Sequence, residues 1–275
     1  MARERLDVLV VERGLVASRE IARTAIMDGA VLVDGQKATK PGMAIPRESQ
    51  IEILPSFGAK KFASRGGFKL EKALASFGVL PNDRICLDIG ASTGGFTDCL
   101  LKSGARLVYA IDVGYGQLEW QLRQDNRVKV FERLNARNLT PEQIYKEGDP
   151  FANLAVMDVS FISSIKIFPA LSSVLNPQMS EIVSLIKPQF EIGKERVGKG
   201  GVVHLPCDHV EVIQHVMEAA VALKWVPLNL AFSPIKGPAG NIEFLMHCRR
   251  DESQVDAPLP DVNAIVSQAH AELNS

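Results

Sequence analysis

The sequence predicts an α/β protein in which a mostly parallel sheet, with helices on both faces, follows a small α+β domain. The sheet is predicted because strand-like apolar runs alternate with helical patterns, and one such run, Ile85 to Ile89, leads into a glycine-rich turn. The small domain is predicted by two short helical patterns and an Asp-Gly turn. The predicted boundaries are 1–54 for the first domain, 55–63 for a linker, 64–250 for the second domain and 251–275 for a tail.

Composition is that of a globular protein that can bury a sizeable core. The chain has 275 residues, of which 46% are hydrophobic and 23% charged, with a net charge of −1. Residues 1–70 hold twelve Lys or Arg and eight Asp or Glu, so the basic excess lies at one end, where an RNA contact would be favoured. The four cysteines form no CxxC pair, and no signal peptide or membrane-spanning run is evident. We therefore predict a cytoplasmic protein with reduced thiols and no membrane span.

The first domain is predicted to contain two helices followed by short strands. Residues 5–14 and 19–28 have helical periodicity, and Ser18 is positioned to cap the second helix. Residues 30–36 form a strand that runs into an Asp-Gly hairpin turn, and residues 50–54 form a closing strand. Together these elements make a compact α+β module.

Arginines on the helices of this module are candidates for RNA binding. Arg19 and Arg23 are four residues apart and share one helix face, and Arg5 begins the first helix. From the residues alone, a solvated helix face is an equally good interpretation. However, residues 4 to about 53 resemble the S4-type RNA-binding domain, and the resemblance lies in Arg5-Leu6-Asp7, Ser18-Arg19, Ala22, Gly29, Val31-x-Val33-x-Gly35 and Lys40-Pro41-Gly42. The resemblance implies contacts with folded RNA through phosphates and shape.

The second domain is predicted to begin with a helix from Ser64 through Phe77. Lys69 lies in its first turn, where a positive charge is unfavourable for the helix dipole. Lys69 is therefore either a surface lysine or a residue kept there for function.

The glycine-rich turn after the first strand of this domain is the strongest site signal. It joins the strand to a helix that begins at Phe96, so its glycines and free N–H groups suit close approach of a ligand. The dinucleotide fingerprint would require glycine where Ser92 stands. Asp88 ends the strand, and Asp112 ends the next strand at the spacing of a residue that holds ribose hydroxyls. This pattern resembles the cofactor site of S-adenosylmethionine methyltransferases, and a structural turn in another α/β enzyme is the alternative.

Further polar residues are predicted at the ends of the later strands. Asn135 follows a third strand (128–131) and is a candidate for the cofactor's adenine or, equally, a loop cap. Asp158 lies in a fourth strand predicted over 155–161, and Lys187 follows a fifth over 182–186. After a helix over 208–223 and a strand over 226–232, Glu243 alternates with apolar residues in a final strand over 242–246. A last helix begins near residue 262.

Lys69, Asp158, Lys187 and Glu243 are the candidate catalytic residues. Two cations and two anions in one cleft can neutralise each other, which makes their joint burial tolerable. A lysine in such a cleft can act as a base or can orient a hydroxyl, and the residues alone do not decide between these roles.

These four residues and the turn resemble the FtsJ-like ribose 2′-O-methyltransferases, whose domain is Rossmann-like. With the first domain included, the chain is identified as a member of the hemolysin A (TlyA) family. That resemblance implies S-adenosylmethionine-dependent methylation of a cytidine 2′-hydroxyl in ribosomal RNA, and a hemolytic activity is described for some members. It assigns catalysis to Lys69, Asp158, Lys187 and Glu243, with no metal. It assigns the cofactor to Asp88, Gly90, Gly94, Gly95, Phe96, Asp112 and Asn135, and RNA to Arg5, Arg19, Arg23 and Arg65.

Two other function classes stay open, and a third fits less well. A hemolysin-type membrane-active protein would need a spanning or strongly basic amphipathic segment. A non-catalytic RNA-binding factor for ribosome assembly would need only the first domain. An NAD-dependent oxidoreductase is disfavoured by Ser92.

Overall fold

The computed structural model describes residues 3–27, 29–54, 61–250 and 259–273. The chain divides into two compact units between Lys61 and Phe62. Most of the predicted linker, 55–60, and the first part of the predicted tail, 251–258, lie outside the described residues.

The first unit is a small α+β domain, as predicted. Its elements are β1 (Arg3–Arg5), α1 (Leu6–Glu12), α2 (Arg19–Met27), β2 (Val31–Val33), β3 (Gln36–Ala38), β4 (Ala44–Pro46) and β5 (Ile51–Ile53). Strands β3, β2 and β5 form an antiparallel sheet in that order, whereas β1 pairs with β4. The β2–β3 hairpin turns at Asp34 and Gly35, both with positive φ, as a tight hairpin turn requires. Sequence reasoning missed β1 and β4 because their residues, Arg-Glu-Arg and Ala-Ile-Pro, do not form the apolar pattern that marks a strand.

The second unit contains a seven-stranded, mostly parallel sheet, which confirms the predicted fold class. The strands are β6 (Ile85–Ile89), β7 (Leu107–Ile111), β8 (Val128–Phe131), β9 (Leu154–Met157), β10 (Glu181–Ile186), β11 (Trp225–Phe232) and β12 (Phe244–Arg250). Their order in the sheet is β11-β12-β10-β9-β6-β7-β8. Strand β12 is antiparallel to both of its neighbours, and the other contacts are parallel.

Helices cover the sheet of the second unit. They are α3 (Gly66–Phe77), α4 (Gly95–Lys102), α5 (Trp120–Gln124), α6 (Pro141–Ile144), α7 (Phe168–Val174), α8 (Pro188–Glu191), α9 (Pro206–Ala222) and α10 (Val262–Leu273). Helix α3 ends at Gly78 in the left-handed conformation that a glycine adopts readily. Two apolar clusters pack against the sheet, and Cys86, Cys99 and Cys248 are buried as free thiols.

The predicted bounds of two strands were wrong, and in both cases the neighbouring strand explains why. Strand β9 was predicted to continue to Phe161 but ends at Met157, because its neighbour β6 has its last pair at Ile89 and then turns away. The final strand was predicted over 242–246 but begins at Phe244, opposite the last residue of β10, and continues to Arg250. Asp158 and Glu243 therefore lie next to strands rather than within them.

Candidate active site

One edge of the sheet gathers most of the predicted site residues. Asp112, Asp158 and Lys187 directly follow β7, β9 and β10, which are parallel, so their carboxyl ends meet at this edge. Glu243 reaches the same edge differently. Because β12 runs antiparallel to β10, the residue that precedes β12 lies at this edge of the sheet.

The four candidate catalytic residues form two oppositely charged pairs. Lys69 Nζ lies 2.5 Å from Glu243 Oε2, and Lys187 Nζ lies 2.5 Å from Asp158 Oδ1. Lys69 is 7% exposed and Glu243 is 1% exposed, so the first pair is buried. Lys69 therefore lies in the first turn of α3 because Glu243 is its partner, and it is not a surface lysine. The second pair lies closer to solvent.

Glu243 is enclosed on its other side as well. Burial raises the pKa of its carboxyl above the usual range, and the nearby Lys69 ammonium opposes that shift. A Cβ added at Gly237 would lie 2.5 Å from Glu243 Oε1, so a glycine is needed there for the carboxylate to keep its position. Gly237 therefore packs closely against this carboxylate.

All four residues line a cavity of about 290 Å³. Its wall also includes Gly90, Gly95 and Phe96 from the glycine-rich segment, and Arg65 and Ser64 from the start of α3. The remaining lining residues are Gly66, Ala91, Ser92, Thr93, Ser160, Ile235, Lys236 and Pro238. The cavity therefore joins the predicted catalytic residues to the predicted cofactor turn.

Glycines in the turn allow close packing that larger residues would prevent. Gly90 has a φ of +84°, and a Cβ there would lie 2.7 Å from the backbone oxygen of Asp158. Gly94 packs against Leu118 and Leu122, and a Cβ there would lie 2.3 Å from the latter. Gly94 is thus a packing residue of the turn, whereas Gly90 lies directly on the cleft.

Asp88 lies beneath the turn and lines none of the described cavities. It is fully buried, and its Oδ2 accepts a 2.6 Å hydrogen bond from the hydroxyl of Thr97, while Oδ1 has no hydrogen-bond partner among the described residues. Burial raises the pKa of Asp88 to about 7, and the charges of Asp158 and Asp112 contribute in the same direction. Asp88 is therefore a buried residue beneath the turn, and its contact with the cofactor stays a prediction.

A second cavity, of about 540 Å³, adjoins the first. Asp112 lies in its wall and accepts hydrogen bonds from the backbone N–H groups of Ser92 (2.8 Å) and Gly114 (2.6 Å). Asn135 also lines it, and its side chain accepts a bond from the N–H of Arg137. Both interpretations of Asn135, as a cleft residue and as a loop cap, are therefore compatible with its position.

The residues of this second cavity fit S-adenosylmethionine. Its volume lies in the range of small-molecule sites. Each oxygen of Asp112 keeps a lone pair that can accept a ribose hydroxyl. The carboxylates of Asp112 and Asp158 lie in its wall, and carboxylates suit a sulfonium cation better than a pyrophosphate. Gly90, Ser92, Asp158 and Ser160 line both cavities, so a ligand in one would adjoin a ligand in the other.

The predicted RNA-binding arginines differ in whether they already form an ion pair within the protein. In the first unit, Arg5 and Arg19 both bind the buried carboxylate of Asp7 at 2.9 Å. The hydrogen bond from Arg5 and the charge of Arg19 hold the pKa of Asp7 below its usual value. Arg23 is exposed, with no ion pair among the described residues. Arg65, in the second unit, is exposed at the rim of the first cavity.

Sequence reasoning missed several residues that shape the site. Ser160 accepts a 2.8 Å hydrogen bond from Lys187 Nζ, and Glu191 accepts three hydrogen bonds from Ser163 and Ser164. Asn241 is buried, and its side chain donates a hydrogen bond to the Gly201 oxygen and accepts one from the Val203 N–H. Their only signal in the sequence was proximity to Asp158, Lys187 and Glu243, which does not indicate where a side chain points.

Two kinds of feature are absent from the described part of the chain. No helix there is long and apolar enough to span a bilayer. No three His, Cys, Asp or Glu side chains come together there as a set of metal ligands.

Comparison with known proteins finds a matching family for each of the two units. Residues 62–250 match the model of the FtsJ-like methyltransferase family, and residues 4–51 match the S4 domain. The chain is 44% identical to the 16S/23S rRNA (cytidine-2′-O)-methyltransferase TlyA of Mycobacterium tuberculosis, over 90% of each chain. It is 43% identical to hemolysin A of Brachyspira hyodysenteriae, over 88% of this chain and 98% of that one. A solved structure from Streptococcus thermophilus with a provisional hemolysin name is 42% identical, covers 100% of this chain and 98% of its own, and has a TM-score of 0.76.

Proposed function

The chain belongs to the FtsJ-like methyltransferase family, and on that premise we propose that it transfers a methyl group from S-adenosylmethionine to the 2′-hydroxyl of a cytidine in ribosomal RNA. The observation that carries this proposal is the position of the two lysine–carboxylate pairs, in a cavity that shares its wall with the cofactor cavity. Lysine and carboxylate pairs suit a hydroxyl acceptor, which must be oriented and must lose a proton as it attacks.

The chain's own residues orient the acceptor and receive its proton. When bound, S-adenosylmethionine supplies an electrophilic methyl group and leaves as a neutral thioether. Once its ammonium has given a proton to solvent, the neutral amine of Lys187 accepts the proton of the ribose hydroxyl, and Asp158 stabilises the ammonium that forms again. Lys69 and Glu243 fix the far wall of the cavity, because both are buried and their positions are set by each other. Most of the rate gain comes from alignment and charge placement.

The identity of the substrate rests on the relatives and on the first unit. The relative from Mycobacterium tuberculosis is named for cytidine 2′-O-methylation of 16S and 23S rRNA. The first unit matches the S4 domain, and Arg23 offers an exposed positive charge on its second helix. With ribosomal RNA as the substrate, the proposed location of the protein is the cytoplasm.

The proposal is tested by methyl transfer to ribosomal subunits that lack the modification. We expect the protein and labelled S-adenosylmethionine to produce a ribonucleotide linkage that resists alkaline hydrolysis, since a methylated 2′-oxygen cannot attack the adjacent phosphate. Mass analysis of nuclease fragments should identify 2′-O-methylcytidine. A methyl group found on a base, in linkages that alkali still cleaves, would contradict the ribose assignment.

Replacing Arg23 by glutamate is expected to weaken RNA binding without affecting the fold. Its charge is exposed and unpaired among the described residues, whereas the same change at Arg19 would place a carboxylate beside the buried Asp7. We expect the slope of log affinity against log salt to fall in magnitude by about 1. Filter binding over a salt series measures this slope, with Arg106→Glu, an equal change of charge in the second unit, as the control. If both variants lose the same affinity for RNA, the loss comes from the changed net charge of the protein and not from the position of Arg23.

A further inference from the structure

A residue in the turn that follows β9, Ser160, forms a hydrogen bond with the amine of Lys187. Asp158 lies 2.5 Å from Lys187 Nζ, but its Oδ1 has no partner that satisfies hydrogen-bond geometry. The contact therefore contributes electrostatic attraction but does little to fix the direction of an N–H bond of Lys187, because a hydrogen bond weakens steeply when the N–H does not point at the acceptor. Ser160 differs, since its Oγ accepts a well-formed hydrogen bond of 2.8 Å from the same nitrogen.

One fixed N–H direction determines the geometry of the whole amine. The nitrogen is tetrahedral, so once one N–H points at Ser160 the two remaining positions are fixed in space. A neutral amine has two N–H groups and one lone pair. The position nearest the Asp158 carboxylate takes the second N–H, because a lone pair facing an anionic oxygen is repelled. The third position is then left for the lone pair.

Ser160 is itself held by a strained and anchored turn. The next residue, Phe161, has a φ of +64°, which is unfavourable for a bulky side chain and persists only where the surroundings enforce it. The surroundings here are Glu191, whose carboxylate accepts hydrogen bonds of 2.6 to 2.7 Å from Ser163 and Ser164, and Phe190, whose ring lies 5.3 Å from that of Phe161. Since Glu191 follows Lys187 by four residues, the turn and the lysine are fixed to one another.

We propose that Ser160 is a positioning residue for methyl transfer, which sets the direction of the Lys187 lone pair toward the acceptor hydroxyl. The proton passes from the ribose oxygen to Lys187 Nζ while that oxygen forms its bond to the methyl carbon, and Ser160 neither gains nor loses a proton. This inference rests on the proposed role of Lys187 as the base.

The test compares Ser160→Ala with Ser160→Thr in the full-length protein, with ribosomal subunits as substrate. Ser160 is exposed, so neither change disturbs the core. We expect Ser160→Ala to lower kcat about ten- to a hundred-fold, as misplacement of a reacting group does, with unchanged KM for RNA and unchanged Kd for S-adenosylmethionine. Threonine keeps the hydroxyl and should restore most of the lost kcat. Ser173→Ala, on the exposed surface of α7, is the control and should behave as wild type.

Three outcomes would overturn the inference. They are a kcat of Ser160→Ala within about two-fold of wild type, a loss that lies in KM and not in kcat, and a threonine variant as impaired as the alanine variant. The outcome is also separable from that of the proposed function. Full activity in Ser160→Ala with an inactive Lys187→Ala would remove only the positioning role, whereas full activity in Lys187→Ala would remove the base itself.

Discussion

Replacing Lys187 by alanine is expected to abolish methyl transfer while leaving cofactor and RNA binding nearly unchanged. Lys187 lines the first cavity with its nitrogen against Asp158 and Ser160, so its loss removes the proton acceptor and the group that orients the hydroxyl. Base assistance contributes about 10²–10⁴-fold, and misplacement of the acceptor adds to that loss. The measurement is the single-turnover rate of labelled methyl transfer, alongside calorimetric titration with S-adenosylmethionine.

Two controls make this experiment specific. Lys187→Arg should remain inactive, because a guanidinium stays protonated and has a different shape. Lys166→Ala removes an exposed lysine from the neighbouring segment and should leave the rate unchanged. Near-wild-type turnover in Lys187→Ala would show that the reaction takes its base from elsewhere.

Replacing Glu243 by alanine is expected to destabilise the second unit by about 3–5 kcal/mol. The change leaves Lys69, which is 7% exposed, without the carboxylate that its ammonium contacts at 2.5 Å. An unpaired buried charge is costly, whereas an apolar pair of similar volume is often tolerated. The double variant Lys69→Met, Glu243→Leu should therefore recover most of the free energy of unfolding and still be inactive.

The second unit carries its own probe for this measurement. Trp120 and Trp225, the two tryptophans of the chain, both lie in it, so urea unfolding followed by tryptophan fluorescence reports on that unit. A double variant as unstable as Glu243→Ala would show that lost packing, and not unpaired charge, is responsible. A stable Glu243→Ala would show that Lys69 readily sheds its charge or reaches solvent.

The parts of the fold that could be predicted are those encoded locally. The apolar run 85–89, the glycines after it and the helical pattern beyond them follow each other directly in the chain, and the structure contains that strand, turn and helix. The closeness of Asp158 and Lys187 could also be expected, because each follows a strand and parallel strands β9 and β10 are neighbours. Neither inference needed knowledge of distant contacts.

The Lys69–Glu243 pair could not be derived in that way. The two residues are separated by 174 positions, and no periodicity relates a helix start to a strand start. Only the family resemblance predicted that they act together. The end of β9 was also missed, because Val159 and Phe161 alternate with polar residues as a strand would, although the neighbouring strand has already turned away at Gly90. Ser160 was missed for the same reason, since a residue assumed to be in a strand is not expected to turn toward Lys187.

The position of β12 has a consequence for the order in which the protein is completed during synthesis. It is the last strand among the described residues, yet it lies inside the sheet between β10 and β11. Until residues 244–250 have emerged, β10 presents an open hydrogen-bonding edge, which is the kind of surface that favours misassociation of nascent chains. A chain that stops before residue 243 also leaves Lys69 without its partner. Completion of the sheet and completion of the charged cleft are therefore one late event, and a truncated product is expected to be both inactive and prone to aggregate.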